Sequence, residues 1–302
     1  MAAQEKKRIR DTTSDRIFNI VIHTILIIFL ILVIYPVYFV LIASVSDPTY
    51  VNSGDFLLYP KGFTLLGYQR VFQDDRIWVG YGNTLIYTVL GTILGILANI
   101  LAGYALSRHD LPGRNIVMAL FVFTMYFGGG MIPFYIIINN MNMVNTRALM
   151  VILGSVSVYN IIIVRSFFVS TIPLELQEAA FIDGCTNQRF FISIVLPLSK
   201  AIVAVIALYT AVGYWNSYFN ALIFLTDTSK FPLQLYLREI LLTAKTADAS
   251  NITDPAAARK LETMVEVVKY GVIVVSTLPI LCVYPFIQKY FVKGVMIGAI
   301  KG

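Results

Sequence analysis

The sequence predicts an all-α integral membrane protein with six transmembrane helices, and three observations carry that prediction. The mean hydropathy is +0.75. Charged residues make up 13% of the 302-residue chain and hydrophobic residues 58%, where an average soluble domain carries about 25% charged residues. Six stretches are apolar enough to cross a bilayer core, which takes about 20 residues as a helix: roughly 17 to 45, 83 to 106, 115 to 138, 147 to 168, 198 to 225 and 268 to 290. Positively charged loops stay in the cytoplasm, so we place both termini there. The segments then inside hold 13 basic and 7 acidic residues, and those outside hold 10 of each, so the whole net charge of +6 falls on the cytoplasmic side.

Residues 1–16 are polar and charged and read as a cytoplasmic tail; residues 17–302 read as one membrane domain. The tail runs into about thirty residues without a formal charge, longer than the 7 to 15 apolar residues of a cleavable signal peptide, so the first span is retained. Pro36 introduces a kink into it. His23 lies near its cytoplasmic end, as a residue reaching for headgroups rather than a proton relay. The outside loop 46–82 carries Asp74, Asp75, Arg76 and Trp78 and reads as a short amphipathic surface element. Span two sets Gly91, Gly95, Ala98, Ala102 and Gly103 three to four residues apart for much of its length, a small-residue seam where helix backbones approach.

Span three is interrupted by Gly128-Gly129-Gly130 and Pro133. Broken helices are tolerated in membranes where protein or a water-filled cavity satisfies the backbone, so Gly129 marks either a bend beside a translocation path or close packing alone. Span four ends at Arg165, positioned to snorkel. Span five holds Tyr214, Trp215, Asn216, Tyr218 and Asn220, preceded by Tyr209 and Thr210. These are either an interfacial aromatic belt or a path for a solute; their distance from Pro197, about twenty residues, places them towards the outer half. Aromatic faces, amides and hydroxyls suit sugars. The large outside loop 226–267 reads as two short helices, Phe231 to Leu242 and Ala256 to Val268, that meet something outside the membrane.

Several classes are excluded. No basic stripe with interleaved aromatics points to nucleic acid. There is no His-Glu-x-x-His, no cysteine cluster, no nucleophile elbow and no Gly-x4-Gly-Lys-Ser/Thr, so neither catalysis nor ATP hydrolysis is expected of this chain. Ion-coupled transporters place ionisable groups in mid-membrane, and these spans hold essentially none. Cys185 and Cys282 fall at different depths and read as free thiols.

The most informative segment lies between spans four and five. Pro173 suits the start of a helix, Glu175 has the favourable sign for its dipole, and Gly184 suits the left-handed turn that ends it. Ala179 and Ala180 keep the helix slim enough for a groove, and Pro197 begins the next span. The loop 172–197 is thus a lever joined to two spans, and such a lever implies a partner.

Glu178-Ala179-Ala180, Gly184, Ile194, Leu196 and Pro197 resemble, at every spacing, the EAA loop of ATP-binding-cassette importer permeases. Ile172-Pro173-Leu174-Glu175-Leu176, Ile182-Asp183-Gly184, Trp215-Asn216, Phe286 to Gly294 and Gly298 to Gly302 are similar to the carbohydrate branch, in the subgroup for long oligosaccharides or polysaccharide fragments. The likeness runs from about residue 16 to the end. It implies a binding-protein-dependent type I (maltose-type) importer in the cell membrane. Its parts are a second homologous permease subunit, two cytoplasmic ATPases that bind the ATP and Mg, and an extracytoplasmic solute-binding protein. It further implies that 172–197 is the coupling loop, that Glu178 pairs with a basic residue of the ATPase, and that Gly298 to Gly302 extends towards the ATPase dimer. Asp183 either joins that contact or makes a local hydrogen bond at the helix end. Cys185 departs from the small residue, commonly Ala, expected after the glycine.

Overall fold

The computed structural model describes residues 12–52, 58–247, 265, 268–282 and 285. The chain divides into two compact units, Met1–Gln69 with Ser250–Val274, and Arg70–Ala249 with Val275–Gly302. The expected second helix of the large outside loop and the C-terminal motifs at Phe286 to Gly294 and Gly298 to Gly302 lie outside the described residues, as does most of the N-terminal tail.

In the first unit, α1 spans Thr13–Ser44 and begins with a capping box in which Thr12 and Asp15 satisfy each other's backbone N–H groups. Its 32 residues give about 48 Å at 1.5 Å per residue, more than a hydrocarbon core of about 30 Å. Apolar side chains such as Phe29 and Leu32 are exposed along it, and only the C-terminal end is buried. There Ser44 shares a hydrogen bond with the Tyr68 hydroxyl at 2.8 Å, and Phe39 meets Tyr270 edge to face. The short helix α2, Pro48–Asn52, follows, and α3, Leu66–Gln73, leads into the second unit.

The second unit is built around α4, Asp75–Ser107. This helix starts eight residues before the expected span because Asp74 caps it and pairs with Arg76 at 2.7 Å. Its first two turns are too polar to register as a span, yet they are helical. The interruption of span three is real: α5 (Arg114–Tyr126) and α6 (Met131–Asn140) meet at 112° across four residues. Span four, expected as one helix over 147–168, is broken into α7 (Arg147–Ile152) and α8 (Val158–Thr171). Between them Gly154 takes φ +90°, and the Ser157 side chain caps α8.

After α8 come α9 (Leu174–Ile182), α10 (Asn187–Phe190), a π-helical turn at Phe191–Val195 and α11 (Leu196–Leu198). The stretch expected as span five becomes α12 (Lys200–Trp215) and α13 (Phe219–Phe224). The loop expected outside contributes α14 (Leu233–Ala247), and α15 runs Val268–Cys282. Where six spans are expected, the described residues show two unbroken helices, α1 and α4, three bent pairs and α15.

The predicted small-residue seam on α4 is a packing seam within the chain. A Cβ at Gly91 would fall inside the ring of Tyr214, and one at Gly103 inside Val164. Those absent side chains let α12 and α8 lie directly on α4, which suits a setting where van der Waals packing rather than water exclusion joins helices. Two cores result. One gathers Tyr87, Leu149, Tyr214, Phe224 and Leu235; the other gathers Ile100, Val164, Phe168, Phe190 and Ile206 together with Ala180 of α9.

Candidate functional site

The segment 172–197 is positioned by the ends of its helix α9. Pro173 takes the N-cap position of α9, and Glu175 occupies the first turn. At the other end Asp183 is the C-cap and Gly184 has φ +77°. The Gly184 N–H donates to Phe181 at 3.0 Å and the Cys185 N–H to Ala180 at 2.9 Å, the two bonds of a Schellman stop. A side chain at Gly184 would meet no neighbour within 4 Å, so the backbone conformation alone calls for glycine here.

The two alanines differ in role. Ala180 is buried in the second core beside Leu176 and Cys185. Ala179, Glu178, Asp183 and Gly184 face outward, and Ile182 is 86% exposed. Helix α9 therefore shows a face that mixes acid and hydrocarbon while its back is buried in the core. Ile194 and Leu196 are half-buried against the same core.

Pro197 corrects one expectation. It does not begin the next span but lies within the helical run Asn187–Leu198, which bends by 79° into α12. Proline has no N–H for the carbonyl four residues back, and the chain ahead of it is widened into the π-helical turn. The span starts after Ser199, whose fully buried Oγ has no partner among the described residues.

A cavity of about 420 Å³ opens where α7 breaks from α8. Leu153, Gly154 and Ser157 of the break form one wall, Tyr159 and Asn160 of α8 the next, and Tyr209, Thr210, Gly213 and Tyr214 of α12 the opposite one, with Ser217 and Asn220 beyond. None of these side chains carries a formal charge. Thr210 is 5% exposed, and its Oγ1 is closed off from solvent with no hydrogen-bond partner among the described residues.

The break is held from behind by Asn99 of α4, which is fully buried. Its amide donates to the carbonyls of Gly95 at 2.6 Å and Ser155 at 2.8 Å, and its oxygen accepts from the Ser157 N–H at 3.0 Å. One side chain thus satisfies the backbone that the missing helical turn would otherwise orphan.

Of the residues singled out for a solute path, Tyr214 and Asn220 line this cavity. Tyr214 donates its hydroxyl to the Val151 carbonyl. Trp215 is buried elsewhere, its indole N–H donating to Ser276 at 3.0 Å and its ring meeting Tyr81. Asn216 is exposed and bonds back to Val212, Tyr218 stacks under Arg238, and Gly129 lies exposed in the α5–α6 bend. Ser157 and Asn160 were missed; two polar side chains four residues or fewer apart in a span read as uniformly apolar were the available signal. Among the described residues no cluster of His, Cys, Asp or Glu is placed to hold a metal ion.

A core of long apolar helices carrying a short helix with one buried and one exposed face is the frame of a transport component. Residues 91–297 match the family described as binding-protein-dependent transport system inner membrane component, and the chain belongs to that family, as a permease subunit of an ABC importer. It is 37% identical over 288 residues to the polygalacturonan/rhamnogalacturonan transport system permease protein YtcP of Bacillus subtilis (strain 168), covering 95% of this chain and 99% of that one. It is 37% identical over 274 residues to protein LplC of the same organism, covering 89% and 90%. A crystal structure of a bacterial ABC transporter involved in the import of the acidic polysaccharide alginate contains a similar chain, with TM-score 0.82 and 33% identity over 94% of this chain and all of that one. Membership implies an ATPase, a solute-binding protein and a second permease subunit as partners, and a multi-pass place in the inner membrane.

Proposed function

We propose that this subunit imports an oligosaccharide or polysaccharide fragment, delivered by an extracytoplasmic binding protein and driven by two cytoplasmic ATPases that bind ATP and Mg. Both termini and the lever α9 lie in the cytoplasm, as the charge distribution supports. Glu178, Ala179, Asp183 and Gly184 form the docking face for the ATPase, with Ala180, Ile194 and Leu196 anchoring it and Pro197 in the helical run ahead of the bend into α12. Closure of the ATPase dimer moves α9, and α8 and α12 follow because the chain joins them to it. The six-span topology is part of this reading, with α1, α4, α5 with α6, α7 with α8, α12 and α15 as the crossings and α9 outside them.

The cavity at the α7–α8 break is this subunit's share of the sugar path, formed by Tyr214 and Asn220 with Ser157, Asn160, Tyr209 and Thr210. Trp215, Asn216, Tyr218 and Gly129 stand outside its lining, so of the expected path residues Tyr214 and Asn220 remain as contacts. The observation that carries the assignment is the cavity itself, walled by aromatic rings, amides and hydroxyls with no formal charge, the side chains that suit a sugar. The relatives named above concern polygalacturonan/rhamnogalacturonan and alginate, which supports a carbohydrate cargo.

Asn220→Leu tests the path, because it removes an amide that borders the cavity and keeps the side chain's size. Oligosaccharide uptake by the reconstituted transporter falls if the amide meets the sugar, with the assembled complex recovered in native yield. Unchanged uptake would mean the cavity is a packing defect.

A further inference from the structure

Arg108 ends α4 and belongs to no part of the docking or cavity residues, yet its side chain is only 10% exposed. Its guanidinium makes a two-pronged pair with Asp110, Nε to Oδ1 at 2.8 Å and Nη2 to Oδ2 at 2.5 Å. The remaining Nη1 donates to the Tyr104 hydroxyl at 3.1 Å. With its donors so directed, the cation lies over two rings: Tyr104 of its own helix at 5.9 Å and Phe181 of α9 at 5.5 Å. Tyr104 in turn packs against Phe191 of the π-helical turn and Phe168 of α8, and Phe181 meets Phe190 edge to face.

The geometry points to Arg108 as a positioning residue that clamps the lever to α4; this rests on the reading of α9 as the ATPase lever. The chain itself links α9 only to α8 and, through Asn187–Leu198, to α12. The α4 helix packs against both of those and against α7 and α14, so it must move in step for the cavity walls to rearrange together. A cation over a ring face is attractive without a fixed hydrogen-bond direction, so the contact tolerates rotation of α9 while resisting its separation. Asp110 holds the guanidinium in place by its fork geometry, and Arg165 ties α8 to the same end of α4 through the Leu106 carbonyl at 3.2 Å.

The test uses the complete transporter in proteoliposomes, reading ATP hydrolysed per sugar imported. Arg108→Gln and Phe181→Leu should each raise that ratio about threefold to tenfold, with ATPase subunits still copurifying. The double variant should be no worse than either single one, and Phe181→Trp, which keeps a ring face for the guanidinium, should leave the ratio at its native value. A general loss of folding would lower insertion and copurification instead, and Phe181, in a half-exposed position, can be changed without that risk. A native ratio in Arg108→Gln and Phe181→Leu, alongside an uncoupled Gly184→Val control, overturns the clamp alone. Native ratios in all three overturn the lever reading and the clamp with it.

Discussion

Replacing Asn99 by Ala removes the latch behind the helix break, and the loss can be worked from its bonds. The Gly95 carbonyl keeps its place in the α4 ladder. The Ser155 carbonyl and the Ser157 N–H lose partners at 2.8 and 3.0 Å in a region where Asn99 is wholly shielded. Each buried group left unsatisfied costs about 1 to 3 kcal/mol, which gives roughly 2 to 6 for the pair. Ser157 also borders the cavity, where water can replace one bond, so the expected value is about 3 kcal/mol. Asn99→Asp keeps the acceptor for Ser157 but turns a carboxylate oxygen towards two carbonyls, and should be at least as damaging at pH 7. Equilibrium unfolding in mixed micelles, followed by near-UV circular dichroism, measures both. A loss below about 1 kcal/mol for Asn99→Ala would show that the break holds itself and that the latch account is wrong.

Gly184→Val forces a β-branched residue to φ +77°, at a cost of about 1 to 3 kcal/mol in local strain; since no neighbour obstructs the side chain, global unfolding should change little while the α9 terminus reorganises. Hydrolysis without uptake is the expected readout, and normal coupled uptake would count against the lever. The Asp110 carboxyl is held below its ordinary value by the hydrogen bonds from Arg108, with burial opposing weakly. A depressed acid stabilises the fold above the unfolded-state value of 3.8 and loses that contribution as pH falls through the lower folded value. The stability gap between the native chain and Asp110→Asn should therefore be present at neutral pH, small because the carboxylate is 56% exposed, and should close in acid; a gap that widens on acidification would reverse the assignment.

Much of this organisation was legible from residue types. The start and stop of α9 followed from Pro173, Glu175 and Gly184 because capping chemistry is local, and the structure realises it as a Schellman stop. The Gly128 to Gly130 interruption was equally local. The break at 153–157 was not, because the apolar residues on either side carry the hydropathy across Gly154, Ser155 and Ser157. What opens the helix there is Asn99, more than fifty residues earlier in the chain, supplying the bonds a helical turn would have made. Hydropathy also placed the start of α4 too late, since it registers lipid contact and not helix. The aromatic group at 214 to 220 was visible as a group, but which members face the cavity depends on where α12 ends: the chain leaves the helix at Asn216, turning Trp215 towards Ser276 while Tyr214 stays against Gly91 and the cavity.

The central claim is that the exposed face of α9 docks on the ATPase. A single cysteine at Ile182→Cys, with Cys185 and Cys282 replaced by Ser, puts a probe on the most exposed apolar position of that face; Tyr126→Cys, 78% exposed at the end of α5, is the control. In the assembled transporter a short bifunctional crosslinker should join position 182 to an ATPase subunit in a nucleotide-dependent way and leave position 126 unjoined. Crosslinking at 182 no greater than at 126 would contradict the account.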